Sequence, residues 1–175
     1  RRRMERNLQN LTNHHIICGY GRIGQEVSRE FTRRGVSFVV IENSEGEIKQ
    51  LETGELLFIS GDAADEEILM KAGVKNAKGL VCATSSDADN VFIALTARGL
   101  NPELYIAARC IHSHAEPKLR QAGADMVISP YVAGGKRLAM ALLKPNALEF
   151  LEGVMHGEGL EMGVEEVHVK TGAPF

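Results

Sequence analysis

The chain has 175 residues, 44% hydrophobic and 25% charged, with 20 basic residues against 23 acidic ones and a net charge of −3. That balance excludes a protein that holds nucleic acid by bulk charge, and no stretch approaches the 18 apolar residues a membrane span needs. Three cysteines, Cys18, Cys82 and Cys110, are odd in number and widely spaced, which suits a reducing compartment rather than a disulfide framework.

The sequence opens on Arg1 without methionine, which fits a fragment or a processed start equally. Its first six residues carry four arginines against Glu5, a net +3. Residues 1–12 read as a linker from an upstream segment.

From His14 the chain alternates short apolar runs with amphipathic stretches. His14 to Cys18 is a strand ending on Gly19, and Arg22 to Arg34 is a helix with Ile23, Val27 and Phe31 on one stripe, closed by Gly35. Val36 to Ile41 is a second strand, rich in β-branched residues. Ser44 with Glu47 fits a capping box for a helix reaching Thr53. Leu56 to Ile59, Gly79 to Ala83, Leu104 to Ala108 and Met126 to Ile128 complete six strands. Helices are expected between them at 65–72, at 87–98 with Gly99 as the stop, and after a second capping box at Ser113 with Pro117 in the first turn.

This alternation predicts an α/β protein with a Rossmann-like, doubly wound parallel sheet in the order 3-2-1-4-5-6, covered on both faces and complete by Ile128. The nucleotide-type lobe is expected over 13–130. Tyr131 to Leu143 then forms a helix with Leu138, Ala141 and Leu142 on its apolar side, and a shorter amphipathic segment covers 147–155. Residues 157–175 resemble the first strand of a smaller second lobe that is cut short.

The chemistry gathers at the first turn. Gly19-Tyr20-Gly21-Arg22-Ile23-Gly24 follows a strand and opens a helix, the context in which a GxGxxG pattern carries meaning. Gly19 allows the tight turn, Gly21 leaves room for a pyrophosphate and Gly24 lets helix and strand pack closely. Glu42 ends the second strand, 18 residues after Gly24, where a carboxylate accepts from ribose hydroxyls and repels a 2′-phosphate. Arg22 stands either toward a phosphate or toward solvent. Asp62, beside Ala63, serves either an adenine amine or a turn, and Thr84 to Asp87 either line the site or cap the next helix.

No CxxC or HExxH is present, and no metal site is expected. His112 and His114 fall after the fifth strand and read as exposed residues at a helix start. The rival reading, a small NAD-dependent oxidoreductase or a redox sensor, needs a proton donor that none of these residues supplies convincingly.

The segments Leu11 to Gly24, Ile59 to Ala63 and Leu119 to Pro130 resemble RCK domains, regulators of potassium conductance also called KTN domains. The resemblance implies a regulatory rather than enzymatic role, with phosphates at Gly19, Gly21 and Gly24, ribose at Glu42, a terminal phosphate near Arg22 and adenine near Asp62. Some relatives sense calcium through acids around the end of strand five; here the segment is Ala107-Ala108-Arg109-Cys110, and Arg109 instead adds positive potential near the phosphates, as a nucleotide-binding residue. The ligand is expected to be NAD(H), AMP, ADP or ATP. The partners implied are a second copy through the helix at 131–143, a larger ring in a longer protein, and a potassium channel or transporter pore. The lobe would work at the cytoplasmic face of the membrane, and the arginine-rich leader resembles the linker from a pore helix in channels with this domain fused on.

Overall fold

The computed structural model describes residues 11–156; the basic leader and the strand-like tail of the sequence reading lie outside them. The chain divides into two units, Arg1–Pro130 and Tyr131–Phe175.

The first unit alternates strand and helix throughout. Its strands are β1 (His15–Cys18), β2 (Phe38–Glu42), β3 (Phe58–Ser60), β4 (Gly79–Cys82), β5 (Tyr105–Arg109) and β6 (Met126–Ile128). Between them run α1 (Arg22–Arg33), α2 (Glu45–Thr53), α3 (Glu66–Lys71), α4 (Asp87–Leu100) and α5 (Glu116–Gln121). All strand pairs are parallel, and the order is β3-β2-β1-β4-β5-β6, as the sequence predicts. With the right-handed crossovers that parallel strands favour, reversing the direction of strand addition after β3 sends the later helices to the opposite face. It also leaves the carboxyl ends of β1 and β4, the first strands added in each direction, side by side.

One face carries the larger core. Ile16, Cys18, Val39, Ile41, Leu80, Cys82, Ile106, Ala108 and Val127 pack with Leu69, Ile93, Ala94, Ala97 and Leu119 from α3, α4 and α5. On the other face Ile17 and Val40 pack with Leu51, Val27 and Phe31 from α1 and α2. Coverage stops there, contrary to the expectation of a sheet closed on both sides by Ile128. Tyr105, Met126 and Ile128 alternate onto this second face and remain 55%, 44% and 52% exposed. Only the crossovers from β1 to β3 place helices on that side.

Three local expectations are corrected. Gly99 does not stop its helix: α4 runs to Leu100, and Asn101 ends it, its Nδ2 donating to the Val74 carbonyl at 2.9 Å. Ser44 precedes α2 but makes no cap bond, its hydroxyl turning to Glu47 instead. Ser113 lies in a 3-10 turn (Ser113–Ala115), and α5 begins only at Glu116, with Pro117 in its first turn as expected.

The second unit is helical where described: α6 (Pro130–Leu143) and α7 (Pro145–His156), with an ion pair between Arg137 and Glu152 at 3.7 Å. On α6, Leu138 is 72% and Leu142 87% exposed. Among the described residues no helix is long and apolar enough to cross a membrane.

Candidate functional site

A cleft of about 450 Å³ opens at the carboxyl edge of the sheet, within the usual range for small-ligand sites. Gly19, Gly21, Arg22, Glu42, Asp62, Ala63, Thr84 and Arg109 all line it. The fold thus brings together residues from the ends of β1, β2, β3, β4 and β5. Tyr20, Ile23 and Gly24 of the same loop do not line it, although the sequence reading grouped them with it.

The three glycines have separable jobs. Gly19 has φ +98, and a Cβ there would meet the backbone of Ala83 and Thr84 at 3.0–3.1 Å. Gly24 faces back into the turn, where a Cβ would lie 2.0 Å from the Gly19 carbonyl oxygen. At Gly21 a Cβ would meet nothing within 4 Å, since that side opens on the cleft. Gly21 precedes α1 with no side-chain bond to the helix start, so the first-turn amides have no side-chain acceptor. Those amides and the helix dipole suit an anion.

Glu42 is only 9% exposed and is fixed by backbone amides. Its Oε2 accepts from Tyr20 N at 2.5 Å, and its Oε1 from Asn43 N at 2.8 Å and Ser44 N at 2.9 Å. The Tyr20 bond ties the glycine loop to the end of β2. A carboxylate so oriented keeps lone pairs for hydroxyl donors in the cleft.

Across the cleft stand two cations. Neither Arg22 nor Arg109 makes a hydrogen bond through its side chain, or an ion pair, with any described residue, and the Nε of Arg109 is buried without a partner. Asp62 does form the turn the sequence allowed, its Oδ1 accepting from Ala64 N at 2.8 Å. Ser86, not Asp87, caps α4, accepting from Asp89 N at 3.2 Å.

Sequence reasoning missed Asn90. It is fully buried, its Oδ1 accepting from Thr84 Oγ1 at 2.8 Å and Thr84 N at 3.1 Å. Its Nδ2 donates to the carbonyls of Thr84 and Arg109, each at 3.3 Å. One amide side chain thereby clamps the ends of β4 and β5. No spacing rule marks such a residue, because its partners converge only in the folded sheet.

The remaining candidates lie elsewhere. His112 is exposed, with Nδ1 3.0 Å from the Asp87 carboxylate, and stacks on His114; neither lines the cleft. Burial opposes ionisation of Asp87, yet the amides of Ile111 and His112 hold its carboxyl below its ordinary range. Cys18 and Cys82 are register partners in β1 and β4, both buried and free. Burial pushes their thiols up, and for Cys18 the neighbouring Cys82 adds to it, so both stay protonated and poorly nucleophilic. Among the described residues no three His, Cys, Asp or Glu side chains gather as metal ligands. A second cleft, at the amino edge of β5 and β6, is lined by Arg98, whose donors are already taken by Gly123, Leu104 and Asp125.

Residues 15–130 match the TrkA-N domain. The chain belongs to that family. It is 40% identical over 172 residues to potassium channel protein 1 of Methanocaldococcus jannaschii, an alignment covering 97% of this chain and 51% of that protein. The chain thus spans about half the length of this relative. Among solved structures it is similar to the GsuK channel bound to NAD, at 28% identity and TM-score 0.63, covering 69% of this chain and 22% of that one. It is also similar to the Kef C-terminal domain of Shewanella denitrificans in its AMP-bound form, at 26% identity and TM-score 0.65, covering 83% and 91%. Membership of the TrkA-N family, with a potassium channel among its relatives, bears out the resemblance read from the sequence, and the Rossmann-like sheet is the expected one.

Proposed function

We propose that this TrkA-N domain is a ligand-sensing lobe through which an adenine nucleotide controls potassium flux in a membrane pore attached to it or associated with it. The observation that carries the reading is one cleft holding an amide-fixed carboxylate, Glu42, opposite two unpaired guanidiniums, Arg22 and Arg109. Glu42 accepts from the ribose hydroxyls, and the α1 amides with Arg22 receive phosphate where Gly21 leaves space. Asp62 and Ala63 sit toward the adenine, and Thr84 borders the phosphates. NAD and AMP in the two structural neighbours support this ligand class. The channel relative supplies the pore half of the proposal.

The role is regulatory and not enzymatic. A ligand moves a pore only if it binds two states of the lobe with different free energies. Such a difference is carried here by loop, β2 and β5 contacts to one molecule. The lobe works at the cytoplasmic face of the membrane. Two copies pair through α6, burying Leu138 and Leu142, and the pairs assemble into rings.

Calorimetry of the purified chain with NADH, AMP, ADP, ATP and NADPH tests the ligand. Binding of the nucleotides without a 2′-phosphate is expected, with NADPH weaker by about tenfold or more because its 2′-phosphate meets Glu42. Equal or tighter NADPH binding would refute the role given to Glu42, and silence with every nucleotide would refute the site.

A further inference from the structure

We infer that His112 and His114 are ligands for one borderline divalent transition-metal ion, of the class of Zn²⁺, Ni²⁺ and Co²⁺, with Asp87 as the carboxylate that positions His112. The inference stands apart from the nucleotide reading, because neither histidine lines the cleft.

Both imidazoles sit on the loop that leaves β5, and the fold holds this loop at several points. Cys110 N donates to the Ile128 carbonyl at 2.9 Å, and Ala115 N to the His112 carbonyl at 2.9 Å. Ile111 N and His112 N donate to the two oxygens of Asp87 at 2.7 and 2.9 Å. Asp87 opens α4 with its side chain only 14% exposed, so the carboxylate is itself set in place. His112 precedes the 3-10 turn and His114 lies within it, and both residues are exposed.

Three features of the pair suit a metal. Asp87 Oδ2 lies 3.0 Å from His112 Nδ1. A carboxylate there favours the tautomer with its proton on Nδ1 and leaves Nε2 as the lone-pair nitrogen, the arrangement found behind most metal-bound histidines. His114 makes no hydrogen bond through its ring to any described residue, so its nitrogens are not taken. The two ring centroids stand 5.4 Å apart, with the planes inclined by 27°. Two imidazoles bound to one tetrahedral ion at about 2.05 Å have centroids about 5.2 Å apart, each nitrogen being about 1.1 Å from its ring centre. The separation is already close to that of a shared ion.

The ligand atoms decide the class of ion. Imidazole nitrogen suits zinc, nickel and cobalt, whereas calcium and magnesium take oxygen. The acids beside the loop are committed, Asp87 to the loop amides and His112, and Glu116 to Arg120 at 2.9 Å. Asp87 therefore orients His112, and water completes the coordination of the two protein ligands. An ion held this way ties the exit of β5, through Asp87, to the start of α4.

The test is calorimetry of the full chain with Zn²⁺ and Ni²⁺, with Ca²⁺ and Mg²⁺ as controls and the Co²⁺ absorption spectrum as a report of nitrogen ligation. Two imidazoles make a modest site, so Zn²⁺ should bind with Kd on the order of 10 µM while Ca²⁺ and Mg²⁺ give no heat at the same concentrations. His112→Gln and His114→Gln should each weaken Zn²⁺ by about tenfold or more. Asp87→Asn should weaken it by about tenfold, the lower end of the usual loss for such a carboxylate. Added to His112→Gln, however, Asp87→Asn should cost nothing further, since it acts through that ring. Without metal, both histidine variants should melt close to the wild type and bind ADP as the wild type does. Zn²⁺ binding that survives both histidine variants, equal heats with Ca²⁺, or no binding by the wild type would overturn the inference. None of these results bears on the nucleotide cleft, which the ADP titration reads separately.

Discussion

Two glycines three residues apart in the first loop should fail in opposite ways when each is replaced by alanine. At Gly24 the added methyl would sit 2.0 Å from the Gly19 oxygen, 2.9 Å from its carbonyl carbon and 3.6 Å from Ile17 Cγ2. The turn cannot retreat. Gly19 N is bonded to the Ile41 carbonyl at 2.9 Å, and even a Cβ on Gly19 would meet the backbone of Ala83 and Thr84 at 3.0–3.1 Å. Relief therefore requires the start of α1 to lift off β1, an overpacking penalty at the upper end of the usual range, about 3 kcal/mol. For a domain of this size that lowers the melting temperature by roughly 10 °C.

Gly21→Ala should spare the fold. Its φ of −68 and ψ of −167 are open to any residue, and its Cβ meets nothing. Alanine is a poorer helix cap than glycine but restricts the unfolded chain, and the two effects oppose each other within about 1 kcal/mol. Gly21 lines the cleft beside the α1 amides, so on the phosphate-cradle reading a methyl there narrows the approach and ADP affinity should drop by about tenfold or more. Thermal melts of both variants with ADP calorimetry of Gly21→Ala decide the matter. A Gly24→Ala protein melting within about 3 °C of the wild type would refute the packing argument, since the penalty would be under ~1 kcal/mol. Unchanged ADP binding by Gly21→Ala would refute the phosphate cradle.

Asn90→Ala should lose about 1–3 kcal/mol in urea unfolding, because the Thr84 amide and the two carbonyls it serves are left unsatisfied; a loss under ~0.5 kcal/mol would mean the clamp is not needed. Asp87 carries stability that depends on its charge. Its folded pKa lies below the ordinary ~3.9, so that stability is complete above this value and is lost as pH falls through it toward the lower folded value. The melting gap between wild type and Asp87→Asn should accordingly narrow from about pH 5 to about pH 3, and a constant gap would refute the assignment. Light scattering should find a dimer for the wild type and a monomer for Leu138→Asp/Leu142→Asp, since charges buried in an interface cost several kcal/mol; a double variant that stays dimeric would place the interface elsewhere.

The fold was largely legible because parallel strands buried on both faces must be short apolar runs, and the helices between them must carry one apolar stripe. What was not legible depends on competition between neighbours. Gly99 is a plausible helix stop until Asn101 is seen to reach the Val74 carbonyl, a partner 27 residues back in the chain. Ser113 has the spacing of a capping box, yet Asp87 takes the amides of Ile111 and His112 and sets the course of that loop. The open face over β5 and β6 was hidden for a related reason. Tyr105, Met126 and Ile128 are apolar enough to look like core, and only the side on which each crossover falls shows that no helix before α6 packs over them.

At the site, the pattern in the sequence named the loop but not the division of labour within it. All three glycines fit one motif, whereas distances separate Gly24 as packing, Gly19 as backbone geometry and Gly21 as space toward the cleft. Glu42 was legible because an acid at the end of the second strand follows from the motif. Arg109 was read as positive potential near the phosphates, and its lack of a counter-charge is a property of surroundings rather than spacing. With β1 and β4 between them, β2 and β5 bring a carboxylate and a guanidinium into one cleft, a juxtaposition that only the strand order shows.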